Sequence, residues 1–258
     1  MHAAALASGS SGNSFFVEAN SKSFLIDAGI SCKQIVDRMN LINRDVSDLN
    51  GIFITHEHID HVRGVDVLAR RYSIPVYVTK KCFENADLMI SDESLVNFIS
   101  KDEVLRFNGS KIIPFSKNHD AADPVSYSVV NDGKKVSVMT DIGIGCKNVV
   151  EHIKDSNLVF LESNHDVDML QNGRYPYYLK KRISSDVGHL SNYDASLLVL
   201  EHCSPKLRHI VLSHLSENNN TEEMALKTFQ EVLKHRKDLK NLNICVSSRF
   251  KPTDLFSI

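Results

Sequence analysis

The segment His56-Glu57-His58-Ile59-Asp60-His61 places four good metal donors, His56, His58, Asp60 and His61, within six residues, directly after the apolar run Gly51-Ile52-Phe53-Ile54-Thr55. A loop this rich in donors needs a rigid support. A short strand ending near residue 55 supplies one, and a turn after it sends His56 and His58 to one side while Asp60 and His61 serve a neighbouring position. Imidazole nitrogen and carboxylate oxygen suit zinc, manganese or iron, so a hydrolytic metal centre is the leading expectation. The bland alternative is a solvated loop with no metal. Glu57 is expected to face a loop or solvent rather than an ion.

Short apolar runs recur along the chain, at 15–18, 23–27, 51–55, 76–79, 112–115 and 127–130, then at 136–140, 158–162, 209–213 and 242–247. They read as strands, many ending in Asp, Thr, Glu or Ser, where a loop can carry chemistry. Helices are expected between them. Ser31 caps one running through residue 39, and Val62, Val65, Leu68 and Ala69 give an apolar side to another over 61–72. Asn192 begins a third through residue 202. A fourth, over 221–235, starts at Thr221 with Glu222 and Glu223 at its positive end and buries Ala225, Phe229, Val232 and Leu233. Strands mixed with helices predict an α/β layered protein, and 258 residues are enough for a single domain over 1–258.

No apolar segment reaches membrane-spanning length, and the first residues lack the basic start of a signal peptide. The expected location is the cytoplasm. Five cysteines, widely spread and without paired spacing, fit reduced structural residues. A formal charge of −2 neither demands nor excludes a nucleic-acid partner, because phosphate recognition depends on local charge. Oligomeric state stays open.

The run His-x-His-x-Asp-His followed by Val62-Arg63-Gly64 resembles the signature of the metallo-β-lactamase fold superfamily. The resemblance implies a four-layer αβ/βα sandwich with its metals at one edge of the paired sheets. It also implies the remaining ligands: His119, Asp141 after the strand-like 136–140, and His214 after 209–213. One ion then takes His56, His58, His119 and Asp141; the other takes Asp60, His61, Asp141 and His214, with the shared carboxylate offsetting the repulsion between ions. Asp27, ending its own apolar run, resembles the early aspartate of the superfamily and is expected to orient a ligand loop by hydrogen bonds. Its bland role is that of a turn carboxylate.

Four blocks narrow the resemblance: 6–14, Leu161-Glu162-Ser163-Asn164-His165-Asp166, Gly188-His189-Leu190-Ser191-Asn192 and 213–219. Together they resemble the YycJ/WalJ branch, which implies 5'-to-3' exonuclease action on DNA. His189 looks comparable to a histidine that assists the leaving group in related phosphodiesterases, with Glu162 as its orienting partner; helix capping is the alternative. His165 is expected to touch substrate or support the site. The basic stretch 174–182 offers Arg174, Lys180, Lys181 and Arg182 to backbone phosphates, beside tyrosines suited to sugar or a frayed base. An ordinary solvated positive face is the competing account. The Ser-Gly turn brings Ser10, Ser11 and Asn13 to the expected rim, and with no Gly-Lys-Ser/Thr loop it argues against a nucleotide cofactor.

Other activities remain open at this point. A ribonuclease or general phosphodiesterase would use the same metals, and discrimination would depend on the ribose 2'-hydroxyl. A thioester or β-lactam hydrolase would direct the same hydroxide at carbonyl carbon, although the basic aromatic stretch and the His189 block weigh against it. A diiron electron-transfer protein would be expected to carry a carboxylate where this chain has His58. A non-catalytic nucleic-acid-binding protein would need an incomplete ligand set.

Overall fold

A computed structural model describes residues 1–85 and 90–258. Among these described residues the strands fall into two seven-stranded mixed sheets flanked by helices. Two compact units interleave in sequence: the first comprises residues 1–116, 121–134 and 248–258, the second residues 117–120 and 135–247.

The first unit contains the whole of one sheet. Its strands are β1 (His2–Ala7), β2 (Ser14–Ala19), β3 (Lys22–Ile26), β4 (Leu49–Phe53), β5 (Val76–Thr79), β6 (Val96–Ile99) and β14 (Phe256–Ser257), in the order β14-β1-β2-β3-β4-β5-β6. The alanine-rich β1 carries no β-branched residue, so its composition hides it; burial of Ala3 to Ala7 shows why small side chains stand there. From β3 to β6 the pairing is parallel. The unit also holds the antiparallel strands β7 (Leu105–Phe107), β8 (Ser110–Ser116) and β9 (Val125–Asn131). Phe24, Phe53, Tyr77, Phe107 and Tyr127 form an aromatic cluster, with Phe53 stacked on Tyr77 at 4.5 Å and meeting Tyr127 edge-on at 5.6 Å.

Its helices are α1 (Cys32–Leu41), α2 (Ile59–Val62), α3 (Val65–Tyr72) and α4 (Lys80–Asn85). Ser31 caps α1 through a full capping box with Gln34, and Ile35 and Met39 provide its buried stripe. The helix expected over 61–72 is broken between α2 and α3. The Gly64 N–H donates to the Ala28 carbonyl at 2.8 Å, and a Cβ at 64 would lie 2.2 Å from the Ile30 carbonyl oxygen. Tertiary hydrogen bonding has claimed the backbone that a continuous helix would use.

The second unit is built on four parallel strands, β10 (Lys134–Met139, whose first residue belongs to the first unit), β11 (Leu158–Glu162), β12 (His209–Ser213) and β13 (Asn243–Val246). They align in register, Val136 with Leu158, His209 and Asn243. Their C-terminal ends therefore fall side by side, the edge where parallel sheets place ligands. Helices α5 (Lys147–Lys154), α6 (Val167–Asn172), α7 (Tyr177–Ile183), α8 (Asn192–His202) and α9 (Glu222–Leu233) complete the unit. Helix α8 starts at a side-chain cap from Ser191 and α9 at one from Thr221, and Ala225 and Phe229 on α9 are buried. Helix α7 was not expected from sequence; its apolar spacing is obscured by Lys180, Lys181 and Arg182 in its last turn, where positive charge suits the helix dipole.

Candidate metal centre

In the first unit the donors hang from the ends of β3 and β4, which pair in parallel with Ile26 opposite Phe53. Asp27 follows β3 in a left-handed conformation, φ 60°, which a non-glycine residue adopts at a cost of about 1–3 kcal/mol. Its Oδ1 accepts from the Thr55 N–H, and its Oδ2 from the Thr55 hydroxyl, both at 2.8 Å. The same Oδ2 is 2.7 Å from His61 Nδ1, which fixes the proton there and turns Nε2 outward. His56 Nδ1 meets the Thr55 hydroxyl at 2.9 Å, and its Nε2 faces His58 Nδ1 at 3.0 Å. Two imidazoles that bring ring nitrogens together in this way suit a shared cation.

Asn13 has a different place from the one expected at a substrate rim. Fully buried, it donates from Nδ2 to Asp60 Oδ2 at 3.2 Å and accepts at Oδ1 from the Ser8 hydroxyl and the Gly9 N–H. It is a positioning residue for Asp60. Ser10 and Ser11 are exposed on the turn. Gly29 was not singled out from sequence, yet only glycine fits: a Cβ there would lie 1.6 Å from the Asp60 carbonyl oxygen. Glu57, expected in a loop or solvent, accepts from the Ala122 N–H at 2.7 Å.

In the second unit Asp141, Glu162 and His214 stand at the exits of β10, β11 and β12, with Asp141 and His214 again left-handed at φ 56°. Donor atoms of Asp141, Glu162, His189 and His214 lie within 4.8 Å of one another. Glu162 organises them. Its Oε1 accepts from His189 Nδ1 at 2.9 Å and His214 Nδ1 at 2.8 Å, while its Oε2 accepts from the Ile142 and Leu190 N–H groups at 2.7 and 3.2 Å. Burial alone would raise the Glu162 carboxyl pKa, but the adjacent His189 and the hydrogen bonds from both imidazoles hold it well below the ordinary carboxylate range. His119 donates from Nδ1 to the Gly188 carbonyl at 3.2 Å and brings Nε2 to 3.7 Å from Asp141 Oδ1.

A common pattern emerges from His61, His119 and His214. Each is buried, each has Nδ1 engaged by a carboxylate or carbonyl oxygen, and each therefore presents Nε2 as a lone-pair donor. That is the arrangement that raises ligand basicity at metal sites, so the residues present fit divalent ions of the zinc or manganese type. The His, Asp and Glu clusters equip the chain for two of them.

Buried amides hold the exits in place. Ser163 donates to Asn192 Oδ1, Asn192 to Asn220 Oδ1, and Asn220 back to the carbonyls of Ser163 and Asn164; Asn164 in turn donates to the His214 carbonyl at 2.9 Å. Ser163, Asn164, Asn192 and His214 lie in the blocks that carry the family resemblance, where nothing in the local sequence marks the amides as supports. Beside His189 lies a cavity of about 360 Å3, bounded by α6, α7 and the start of α8. His165 lines it, and burial pushes that imidazole down to about 4. Lys180 and Lys181 line it too, with Lys180 Nζ bonded to the Gln171 carbonyl at 2.7 Å. Arg182 is instead paired with Asp120 at 2.9 Å, and Arg174 is exposed.

Residues 22–215 match the Beta-lactamase superfamily domain. The chain is 38% identical to exodeoxyribonuclease YycJ of Bacillus anthracis, covering 92% of this chain and 90% of that protein. It is 39% identical to exodeoxyribonuclease WalJ of Streptococcus pneumoniae serotype 2 strain D39, covering 86% and 84%. The crystal structure of the metallo-β-lactamase fold protein YhfI from Bacillus subtilis superposes with a TM-score of 0.72 over 98% of each chain, at 12% identity, which shows the shared αβ/βα fold. The chain therefore belongs to the beta-lactamase superfamily, and is a metal-dependent hydrolase of the metallo-β-lactamase fold closely related to YycJ and WalJ.

Proposed function

We propose that the chain is a 5'-to-3' exodeoxyribonuclease, the activity its YycJ and WalJ relatives carry in their names, here with the polarity that the sequence resemblance implies. One observation carries the reading: His189, anchored by Glu162, lines a cavity that Lys180 and Lys181 also line. A proton donor beside ammonium groups suits a phosphodiester, whose leaving alkoxide needs a proton and whose neighbouring phosphates need counter-charge. A thioester or lactam has no run of phosphates to occupy two lysines and no leaving alkoxide of this kind.

We assign His56, His58, His119 and Asp141 to one ion and Asp60, His61, Asp141 and His214 to the other. Bound divalent ions supply Lewis acidity, lowering the pKa of a water and neutralising charge on phosphate. Asp60, fixed by Asn13, orients the attacking water. His189 commits Nδ1 to Glu162 and keeps Nε2 for the leaving sugar oxygen; a side chain 22% exposed lets solvent return the proton. Lys180, Lys181, Arg174 and His165 contact the strand, with Ser10 and Ser11 at its edge. Arg182 contributes less, because Asp120 already neutralises it. DNA is the preferred substrate over RNA, and the cysteine pattern supports a cytoplasmic location; among the described residues no helix is long and apolar enough to cross a membrane.

End-labelled single- and double-stranded DNA and RNA, bearing 5'-phosphate or 5'-hydroxyl, test the reading under several metals. Sequential loss from the 5' end of DNA is expected, abolished in Asp60→Ala and Asp141→Ala and strongly slowed in His189→Ala. Preferential RNA cleavage, or hydrolysis of small esters alone, overturns it.

A further inference from the structure

We infer that the cavity bounded by α6, α7 and the start of α8 seats the departing terminal nucleotide, so that the enzyme releases mononucleotides one at a time. This rests on the nuclease reading above and adds to it the identity of the leaving-group site.

Three features argue for a nucleotide. The first is position. His189 lines the cavity, and its Nδ1 is held by Glu162, so the ring is fixed at the wall. Attack by hydroxide forms a new oxygen–phosphorus bond and breaks the bond from phosphorus to the 3'-oxygen of the terminal nucleotide. That oxygen takes its proton from His189, and solvent replaces the proton. Whatever stands behind the 3'-oxygen must occupy the space on the His189 side, and for cleavage starting at a 5' end that is a single nucleoside carrying its own 5' group.

Size is the second feature. A cavity of about 360 Å3 sits at the low end of the range for small-molecule sites, roughly 300–1,000 Å3, and accommodates one nucleotide rather than two. Chemistry is the third. Val167, Leu170 and Tyr177 give an apolar and aromatic wall suited to the face of a base. Lys181, which makes no ion pair among the described residues, supplies positive charge for a terminal phosphate. His165, 3% exposed, lines the same cavity, and its buried Nδ1 has no hydrogen-bond partner. Stacking on Val167, Leu170 and Tyr177 is open to any base, which predicts release with little base preference.

The test uses the metal-loaded protein and two variants, Val167→Trp, which fills the cavity, and Tyr177→Ala, which removes an exposed wall residue and leaves the core untouched. Calorimetric titration with deoxyadenosine 5'-monophosphate is read beside the products from end-labelled DNA and the hydrolysis of bis(4-nitrophenyl) phosphate, which is too small to need the cavity. The expected results are mononucleotide products, a dissociation constant at least about tenfold weaker in both variants, and a matching fall in the ratio of DNA degradation to small-diester hydrolysis. Deoxyadenosine without phosphate binds more weakly than the monophosphate. If the wild-type protein degrades DNA while both variants bind the monophosphate and process strands as it does, the cavity assignment is overturned and the nuclease reading survives. Oligonucleotide products longer than one residue also overturn it. If the wild-type protein leaves all nucleic-acid ends intact, both fall together.

Discussion

Replacing Glu162 by glutamine is the sharpest perturbation of this centre, because it changes one atom and almost no volume. The carboxylate accepts four hydrogen bonds, two from imidazole Nδ1 atoms at Oε1 and two from backbone N–H groups at Oε2. Backbone N–H groups cannot reverse their role, so the amide oxygen of glutamine must face Ile142 and Leu190. Its NH2 then faces His189 and His214. Both rings are driven to carry hydrogen on Nε2, which blocks the atom that should bind metal in His214; His189 keeps a hydrogen to deliver but loses the carboxylate that balances the charge of its doubly protonated ring. Loss of one such carboxylate–imidazole contact costs about 10–100-fold in metal affinity or activity. With two rings affected, kcat/KM for bis(4-nitrophenyl) phosphate should fall by about 100-fold or more, equivalent to about 2.7 kcal/mol. Chelator competition should show weaker binding at one ion, while circular dichroism stays unchanged. Metal affinity and kcat/KM both within about threefold of wild type, well inside that range, would refute the role given to Glu162.

Gly29→Ala should force the Asp60 loop away, since the new Cβ would meet the Asp60 carbonyl at 1.6 Å and the Asn13 nitrogen at 2.7 Å; a loss of about 2 kcal/mol or more and a substoichiometric metal content are expected by calorimetry and elemental analysis. His165, neutral in the fold with its pKa lowered from 6.5 to about 4 by burial, gains a proton below 6.5 only when unfolded. Its stabilising contribution, up to about 3 kcal/mol, is therefore full above pH 6.5 and is lost as pH falls toward about 4, so urea midpoints of wild type should drop more steeply over that window than those of His165→Asn. Lys181→Ala should lower the slope of log binding constant against log salt by about 0.9 for duplex DNA, whereas Arg182→Ala, already paired with Asp120 at 2.9 Å, should change it much less. Equal slopes for the two variants would count against that division of labour.

The sequence by itself determined the kinds of element and the donor types. Apolar runs ending in Asp27, Glu162 and Ser213 gave strands close to those observed, because buried parallel strands need continuous apolar runs of a length that helices exceed. The His56 to His61 cluster declared metal chemistry, because no other common use needs so many nitrogen donors in so short a loop. Tertiary structure decided what each donor does. Strand register brought Asp141, Glu162 and His214 to one edge of the second unit, although 73 residues separate the first from the last. Hydrogen bonding made Glu162 the common anchor of two imidazoles and moved Asn13 from an expected substrate contact to a support for Asp60. Backbone crowding broke the expected 61–72 helix at Gly64. Local periodicity records which side of an element is apolar, whereas the state of a ring nitrogen, the partner of an amide and the room for a Cβ are set by atoms distant in sequence. Those contacts exist only once the chain has folded.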